Sequence, residues 1–65
     1  MNANQIINAL TFAEVDSKLE GDTRRMMRAE RESLQAAVSS GDAKQIADAI
    51  AEAKRVANMW GVELE

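Results

Sequence analysis

The last third of the chain shows the clearest separation of apolar and polar positions. At about 100° per residue, the apolar positions of residues 43–60 fall on one arc of a helical wheel and the charged positions fall on the opposite arc. Asp42 stands at an N-cap position with the capping-box partner Gln45, and Gly61 stands where a helix often ends in a left-handed residue. The pattern therefore predicts a helix over residues 43–60.

A second helix is predicted directly before this one, over residues 23–40. It follows two candidate N-caps, Asp22 and Thr23, and it ends before Gly41. Its apolar positions recur at helical spacing: Met26, Met27, Ala29, Leu34, Ala37 and Val38. Because the connection at Gly41 is short, we expect the two helices to pack as a long antiparallel hairpin.

The apolar pattern of the first twenty residues changes phase at Thr11. The apolar positions before and after that residue lie on opposite sides of a helical wheel: Ile6, Ile7 and Leu10, then Phe12, Val15 and Leu19. Thr11 and Glu14 also have the spacing of a capping box. This coincidence favours two short helices, 3–10 and 12–20, with a bend at Thr11. The alternative is one continuous helix with two apolar faces, which would need another chain on its far side.

Together these patterns predict one small all-α domain spanning residues 1–65, in which the N-terminal helices cover the open side of the hairpin. A chain of 65 residues buries only about 60% of the surface that it exposes when unfolded. Bulky apolar residues are few for three alanine-rich helices. We therefore expect the domain to gain stability from a partner or a second copy.

The composition excludes several kinds of chemistry. The sequence has no cysteine and no histidine, so it lacks thiolate ligands, the commonest general base and the commonest transition-metal ligand. None of the eleven acidic residues forms a pair that stands out from a solvated helix face. We predict a protein that is not an enzyme and that uses no cofactor, metal ion or small-molecule substrate.

Charge and hydropathy bear on location and partners. The net charge of −3 describes a small acidic protein and argues mildly against a dedicated nucleic-acid binder. No apolar run approaches the roughly 18 residues that a membrane span needs, and no signal peptide is recognisable at the N-terminus. The lack of cysteines fits a reducing compartment. We expect a cytoplasmic protein without membrane contact.

Three arginines form a stripe along the second helix at i, i+4 and i+7: Arg24, Arg28 and Arg31. They can pair with carboxylates of this chain, for which the candidates are Glu30, Glu32, Asp16 and Glu20. They can also bind an acidic surface of a partner protein or the phosphates of a nucleic acid. Stacking on bases is not supported, because Phe12 and Trp60 are the only aromatic residues. The sequence leaves these alternatives open.

The end of the last helix gives a further candidate surface. Met59 falls on the otherwise polar arc, and Trp60 ends the apolar arc, so each either completes the core or contacts a partner. We predict a protein–protein interaction module, an adaptor or inhibitor of phage or plasmid type that forms homodimers. The predicted contact residues are Ile6, Ile7, Leu10, Arg24, Arg28, Arg31, Met59 and Trp60. The alternatives are a small nucleic-acid-binding regulator and a structural assembly component.

Overall fold

A computed structural model describes residues 1–64, and within that range the chain forms three α-helices and no strand. The helices are α1 (Ala3–Glu14), α2 (Gly21–Ser40) and α3 (Ala43–Met59). The predicted all-α class is confirmed, and α2 packs against both of the other helices within a body of 34 × 17 × 16 Å. The antiparallel direction of α2 and α3 stays a prediction from their short connection.

Helix α1 is continuous through Thr11, so the predicted bend and the predicted helix 12–20 are wrong. The helix begins at a capping box that the sequence interpretation missed. There, the Asn2 side chain accepts from the Gln5 N–H at 2.9 Å, and the Asn2 N–H donates to Gln5 Oε1 at 2.8 Å. The Thr11 hydroxyl instead donates to the carbonyl of Ile7 at 2.8 Å, one turn earlier in the same helix. Thr11 is therefore satisfied as an interior residue and does not need to cap a new helix.

A turn over residues 15–20 separates α1 from α2. The Asp16 side chain accepts from the Lys18 N–H at 2.9 Å, which is the local bonding that favours a turn over a helix. Helix α2 then starts at Gly21, two residues before the predicted start. Glu20 is its N-cap residue and gives no side-chain hydrogen bond, so neither Asp22 nor Thr23 caps this helix.

The connections around α3 follow the sequence signals. Gly41 adopts a left-handed conformation with φ 72°, and its N–H donates to the carbonyl of Val38. The Asp42 side chain accepts from the backbone N–H groups of Lys44 at 2.9 Å and Gln45 at 3.1 Å. Gly61 is left-handed as well, with φ 73°, so Asp42 and Gly61 are confirmed at the ends of α3. The predicted capping box is only half formed, because the Asp42 N–H donates to Ser40 Oγ at 3.2 Å and not to the Gln45 side chain.

The core lies between the three helices. Its fully enclosed large side chains are Ile6, Leu10, Met27 and Leu34, and the alanines Ala13, Ala53 and Ala57 fill the space between helices. Val62 and Leu64 of the C-terminal segment pack against this core.

The core location of α1 corrects one part of the predicted partner surface. Ile6 and Leu10 have no solvent exposure and Ile7 is half-buried against the core, so none of them presents an open face to a second protein. The physical reason is that Ile6, Leu10 and Ala13 follow each other at i, i+4 and i+7 on one stripe. The chain buries that stripe against its own helices.

Candidate interaction surface

The outer face of α1, which we define by Asn8, Thr11, Phe12 and Val15, carries two large apolar side chains in solvent. Phe12 is 75% exposed and Val15, directly after the helix, is 74% exposed. At about 100° per residue, Phe12 lies about 120° and Val15 about 180° from the buried Ile6. The helix therefore presents apolar side chains on two sides, and only one side is covered by the chain itself.

A cleft of about 340 Å³ borders this face on the side of Val15. We call it the basic cleft, and the residues that line it are Glu14, Val15, Gly21, Arg24, Arg25 and Arg28. Arg25 pairs with Asp22, but both side chains of that pair are largely exposed. Within residues 1–64, neither Arg24 nor Arg28 takes part in an ion pair, and the buried Nε of Arg24 has no hydrogen-bond partner. The cleft therefore carries positive charge that the surrounding residues do not neutralise.

Arg31 does not share this environment, although the sequence placed it in the same stripe. Its Nε and Nη2 donate to the two carboxylate oxygens of Glu14, and its Nη1 donates to Gln35 Oε1 at 2.7 Å. The Arg31 and Glu14 side chains are only 21% and 14% exposed. The hydrogen bond to Glu14 raises the pKa of Arg31, while partial burial acts in the opposite direction. Arg31 thus pairs locally, as one of the open alternatives had it, but its partner is Glu14 and none of the predicted carboxylates Glu30, Glu32, Asp16 and Glu20.

A second cleft, of about 460 Å³, borders the outer face on the side of Phe12. We call it the acidic groove, and the residues that line it are Ala9, Phe12, Ala13, Asp16, Leu19, Gly61, Val62 and Glu63. One wall is α1 with the turn after it, and the other wall is the C-terminal segment. The charged side chains of this groove, Asp16 and Glu63, are both carboxylates.

The two clefts give the outer face of α1 opposite charges along its two edges. Val15 belongs to the wall of the basic cleft, and Phe12 belongs to the wall of the acidic groove. Within α1, Ala9 on the wall of the acidic groove and Glu14 on the wall of the basic cleft lie about 140° apart on the helical wheel, so the two clefts border different sides of the helix. A protein that covers Phe12 and Val15 meets arginines on one side and carboxylates on the other.

The predicted residues at the end of α3 lie at the surface. Met59 is 68% exposed, and its sulfur accepts from Arg55 Nη1 at 3.1 Å. Trp60 follows the helix as its C-cap residue and is 40% exposed. Both side chains therefore remain candidates for contact with a partner.

Glu30 lies at the opposite margin of the core, where α2 meets α3. Its side chain is half-buried. Burial raises the pKa of Glu30, repulsion by Glu52 raises it further, and the guanidinium of Arg55 acts against both. Arg55 forms its ion pair with Glu52. The negative charge of Glu30 is therefore less well compensated than that of Glu52.

Residues 1–64 contain no cluster of three or more acidic, histidine or cysteine side chains arranged to hold a metal ion. In the same range, no helix combines the length and the apolar composition that a bilayer crossing requires. No protein-family model matches the chain, and neither a curated protein nor a solved structure does.

The sequence interpretation missed four residues of this surface: Phe12, Val15, Glu14 and Arg25. The signal that could have found the first two was the phase change itself. Phe12 and Val15 cannot share a side with Ile6 on any continuous helix, so their exposure follows once the helix does not break. No sequence signal indicates that Arg25 joins Arg24 and Arg28 in one cleft, because only the position of the turn decides which arginines line it.

Proposed function

We propose that this protein is a protein–protein interaction module, of adaptor or inhibitor type, that binds through the outer face of α1. The observation that supports the proposal is the exposure of Phe12 and Val15 on a helix whose other side already fills the core. A continuous helix with two apolar sides is suited to lie between its own domain and another chain. Phe12 and Val15 replace Ile6, Ile7 and Leu10 as the proposed contacts.

The size of the apolar contribution makes Phe12 the expected anchor. Covering one large apolar side chain contributes about 1.5–3 kcal/mol, and aromatic side chains dominate the binding energy of many interfaces. Phe12 also stands at the edge of the acidic groove, so a partner can surround its ring rather than touch one side. Met59 and Trp60 are retained as secondary contacts because both are exposed.

Substitution of Phe12 tests the proposal, with Gln45 as a matched control. Phe12→Asp and Gln45→Glu add the same charge at exposed positions, but Gln45 lies on α3, outside the outer face of α1 and outside both clefts. We expect Phe12→Asp to weaken binding to a purified partner, isolated on the immobilised protein from its source cells, by at least about tenfold. Gln45→Glu should bind within about twofold of the parent by titration calorimetry.

Circular dichroism should show the same helical content for both variants, because neither side chain belongs to the core. Equal affinity of the parent and Phe12→Asp for that partner would remove the outer face of α1 as the binding surface.

A second candidate function is binding of nucleic acid, and the basic cleft favours it. Three guanidinium groups, those of Arg24, Arg25 and Arg28, line one cleft. The carboxylate in its lining, Glu14, is paired with Arg31, and of the three arginines Arg25 alone has an ion-pair partner within residues 1–64, the exposed Asp22. Phosphate contacts are strongest at low salt, so fluorescence anisotropy with short DNA and RNA duplexes at low salt is the sensitive measurement. Absence of binding there excludes this candidate, and the net charge of −3 already weighs against it.

A further inference from the structure

We infer that the partner on the outer face of α1 is a second copy of this chain, bound so that the basic cleft of each copy receives Asp16 and Glu63 of the other. This inference rests on the proposed function and names the occupant of the same surface. It depends on the charges at the two edges of the face, on the area that a dimer needs, and on the unsatisfied donors of the basic cleft.

Opposite charges at the two edges are what a face needs to bind itself. In a dimer with two-fold symmetry the same patch lies on both copies, and residue i of one copy contacts residue j of the other. When the two-fold axis runs along α1 between Phe12 and Val15, it carries the basic cleft of one copy onto the acidic groove of its partner. The same rotation produces that contact twice. An axis across α1 would place like charges together.

The required area shows why both clefts must take part. A stable interface covers about 800 Å² on each partner. The side chains of Phe12 and Val15 supply only about a third of that area, since even a large aromatic side chain covers about 150–250 Å². The whole described surface is 4311 Å², so a dimer must cover close to a fifth of it. A contact of that size on α1 extends over the basic cleft and the acidic groove.

The acidic groove can supply the acceptors that the basic cleft lacks. Arg24 and Arg28 have no ion-pair partner within residues 1–64, and a guanidinium binds a carboxylate through two parallel hydrogen bonds. Glu63 is exposed, and Asp16 uses one oxygen for the Lys18 N–H, so its other oxygen is open to a donor from outside. Each copy therefore offers two carboxylates to a cleft with three arginines.

Charge reversal in two separate chains tests this pairing. The first variant, Arg25→Glu/Arg28→Glu, reverses the basic cleft and leaves the half-buried Arg24 in place. The second, Asp16→Asn/Glu63→Arg, reverses the acidic groove, and its amide oxygen can still accept from the Lys18 N–H. In a symmetric pair of either variant, both cleft contacts lose their attraction. In a mixed pair, the reversed cleft of one chain meets the reversed groove of the other, and the two native edges also meet.

We expect the parent chain to sediment as a dimer at high micromolar concentration and low salt, and each variant alone to dissociate at least about tenfold more readily. An equimolar mixture of the two variants should recover dimers, visible as a heterodimer in native mass spectrometry. The control Lys44→Glu/Lys54→Glu makes the same change in net charge as the first variant but lies on α3, outside both clefts. It should dimerise like the parent.

Recovery of dimers in the mixture cannot come from misfolded chains, so that result supports the inference directly. A monomeric parent, or a mixture that stays monomeric, overturns it. A chain that stays monomeric and binds a short duplex at low salt assigns the basic cleft to nucleic acid instead.

The same measurements separate this inference from the proposed function. If the parent dimerises, Phe12→Asp abolishes the dimer, and the charge reversals have no effect, then the outer face of α1 stands and the inferred pairing of edges fails. If Phe12→Asp leaves the dimer intact, the outer face itself is not the interface. If the parent is monomeric but binds a different protein through Phe12, the proposed function stands and the second copy is excluded.

Discussion

Each of the two faces of α1 carries two large apolar side chains, but one pair is buried and the other is exposed. The inner face places Ile6 and Leu10 against α2 and α3 with no exposure to solvent. The outer face, formed by the same helix and the residue after it, leaves Phe12 and Val15 about three-quarters exposed. A helix of 12 residues can turn only one stripe toward the body of its own domain. The second apolar stripe therefore does not contribute to the core of this chain, and it indicates contact with a second molecule.

The comparison also shows how a correct pattern can support a wrong structure. The phase change at Thr11 is real, but the chain resolves it by exposing the second stripe rather than by breaking the helix. A break at Thr11 would have created two new helix ends, whose terminal N–H and C=O groups have no partner within the helix. Exposing two side chains leaves every turn of α1 hydrogen-bonded.

The largest expected effect distinguishes the two faces by stability. Leu10→Ala removes a fully buried side chain and should lower the free energy of unfolding by about 2–5 kcal/mol. Phe12→Ala removes a larger but exposed side chain and should change it by no more than about 0.5 kcal/mol. Urea denaturation followed by circular dichroism, at a concentration where the chain is monomeric, makes the comparison. Equal losses would mean that the chain covers Phe12 itself.

The next effect concerns the edge where the inner face meets the outer face. Glu14→Gln replaces the two carboxylate oxygens that accept from Arg31 by a single neutral amide oxygen, at a site where both side chains are mostly buried. We expect a clear fall in the urea midpoint that persists at high salt, because partly buried pairs are weakly screened. Asp22→Asn removes the exposed partner of Arg25 and should have little effect under any salt condition. Similar midpoints for the two variants would contradict the difference between the pairs.

A smaller effect tests whether α1 is one helix. Asn2 caps α1, so Asn2→Ala should cost about 1 kcal/mol of stability. Thr11 lies inside the helix, so Thr11→Ala should stabilise the protein by up to about 0.5 kcal/mol, because alanine has the higher helix propensity. Thermal unfolding measures both effects, and the sign of the stability change in Thr11→Ala decides whether α1 is one helix. A Thr11→Ala variant as unstable as Asn2→Ala would restore a cap, and a helix break, at Thr11.

The smallest effect lies at the far margin of the core and depends on pH. Burial and Glu52 raise the pKa of Glu30 in the folded chain above its ordinary 4.5, so the folded state binds that proton more tightly than the unfolded state does. Stability from this group therefore falls as the pH rises from its unfolded pKa through its folded pKa. Glu30→Gln should be slightly more stable than the parent at neutral pH and equal to it at about pH 3. A gain that is the same at both pH values would have another cause.

Local signals predicted the helix ends correctly where a single capping residue or a single glycine determines the end. Asp42, Gly41 and Gly61 fix the ends of α3 and the end of α2, because capping and a left-handed backbone depend on a few neighbouring residues. The same kind of signal failed at Thr11. A threonine hydroxyl can cap a helix or bond back to the previous turn, and only the surroundings select between the two.

The candidate surface was predictable only in part. Arg24 and Arg28 lie in a cleft as candidate binding residues, whereas Arg31 of α2 pairs with Glu14 of α1, 17 residues away in sequence. Spacing along α2 cannot reveal that difference, because it depends on where the end of α1 meets α2.

By itself, the sequence determined that the chain forms helices, where most of them end, and that two apolar stripes exist before residue 20, because these depend on propensity, caps and periodicity within a few turns. Only the tertiary structure decided which stripe is buried. That choice rests on the summed packing of Ile6 and Leu10 against α2 and α3, a gain between distant segments that no single stretch of the chain contains.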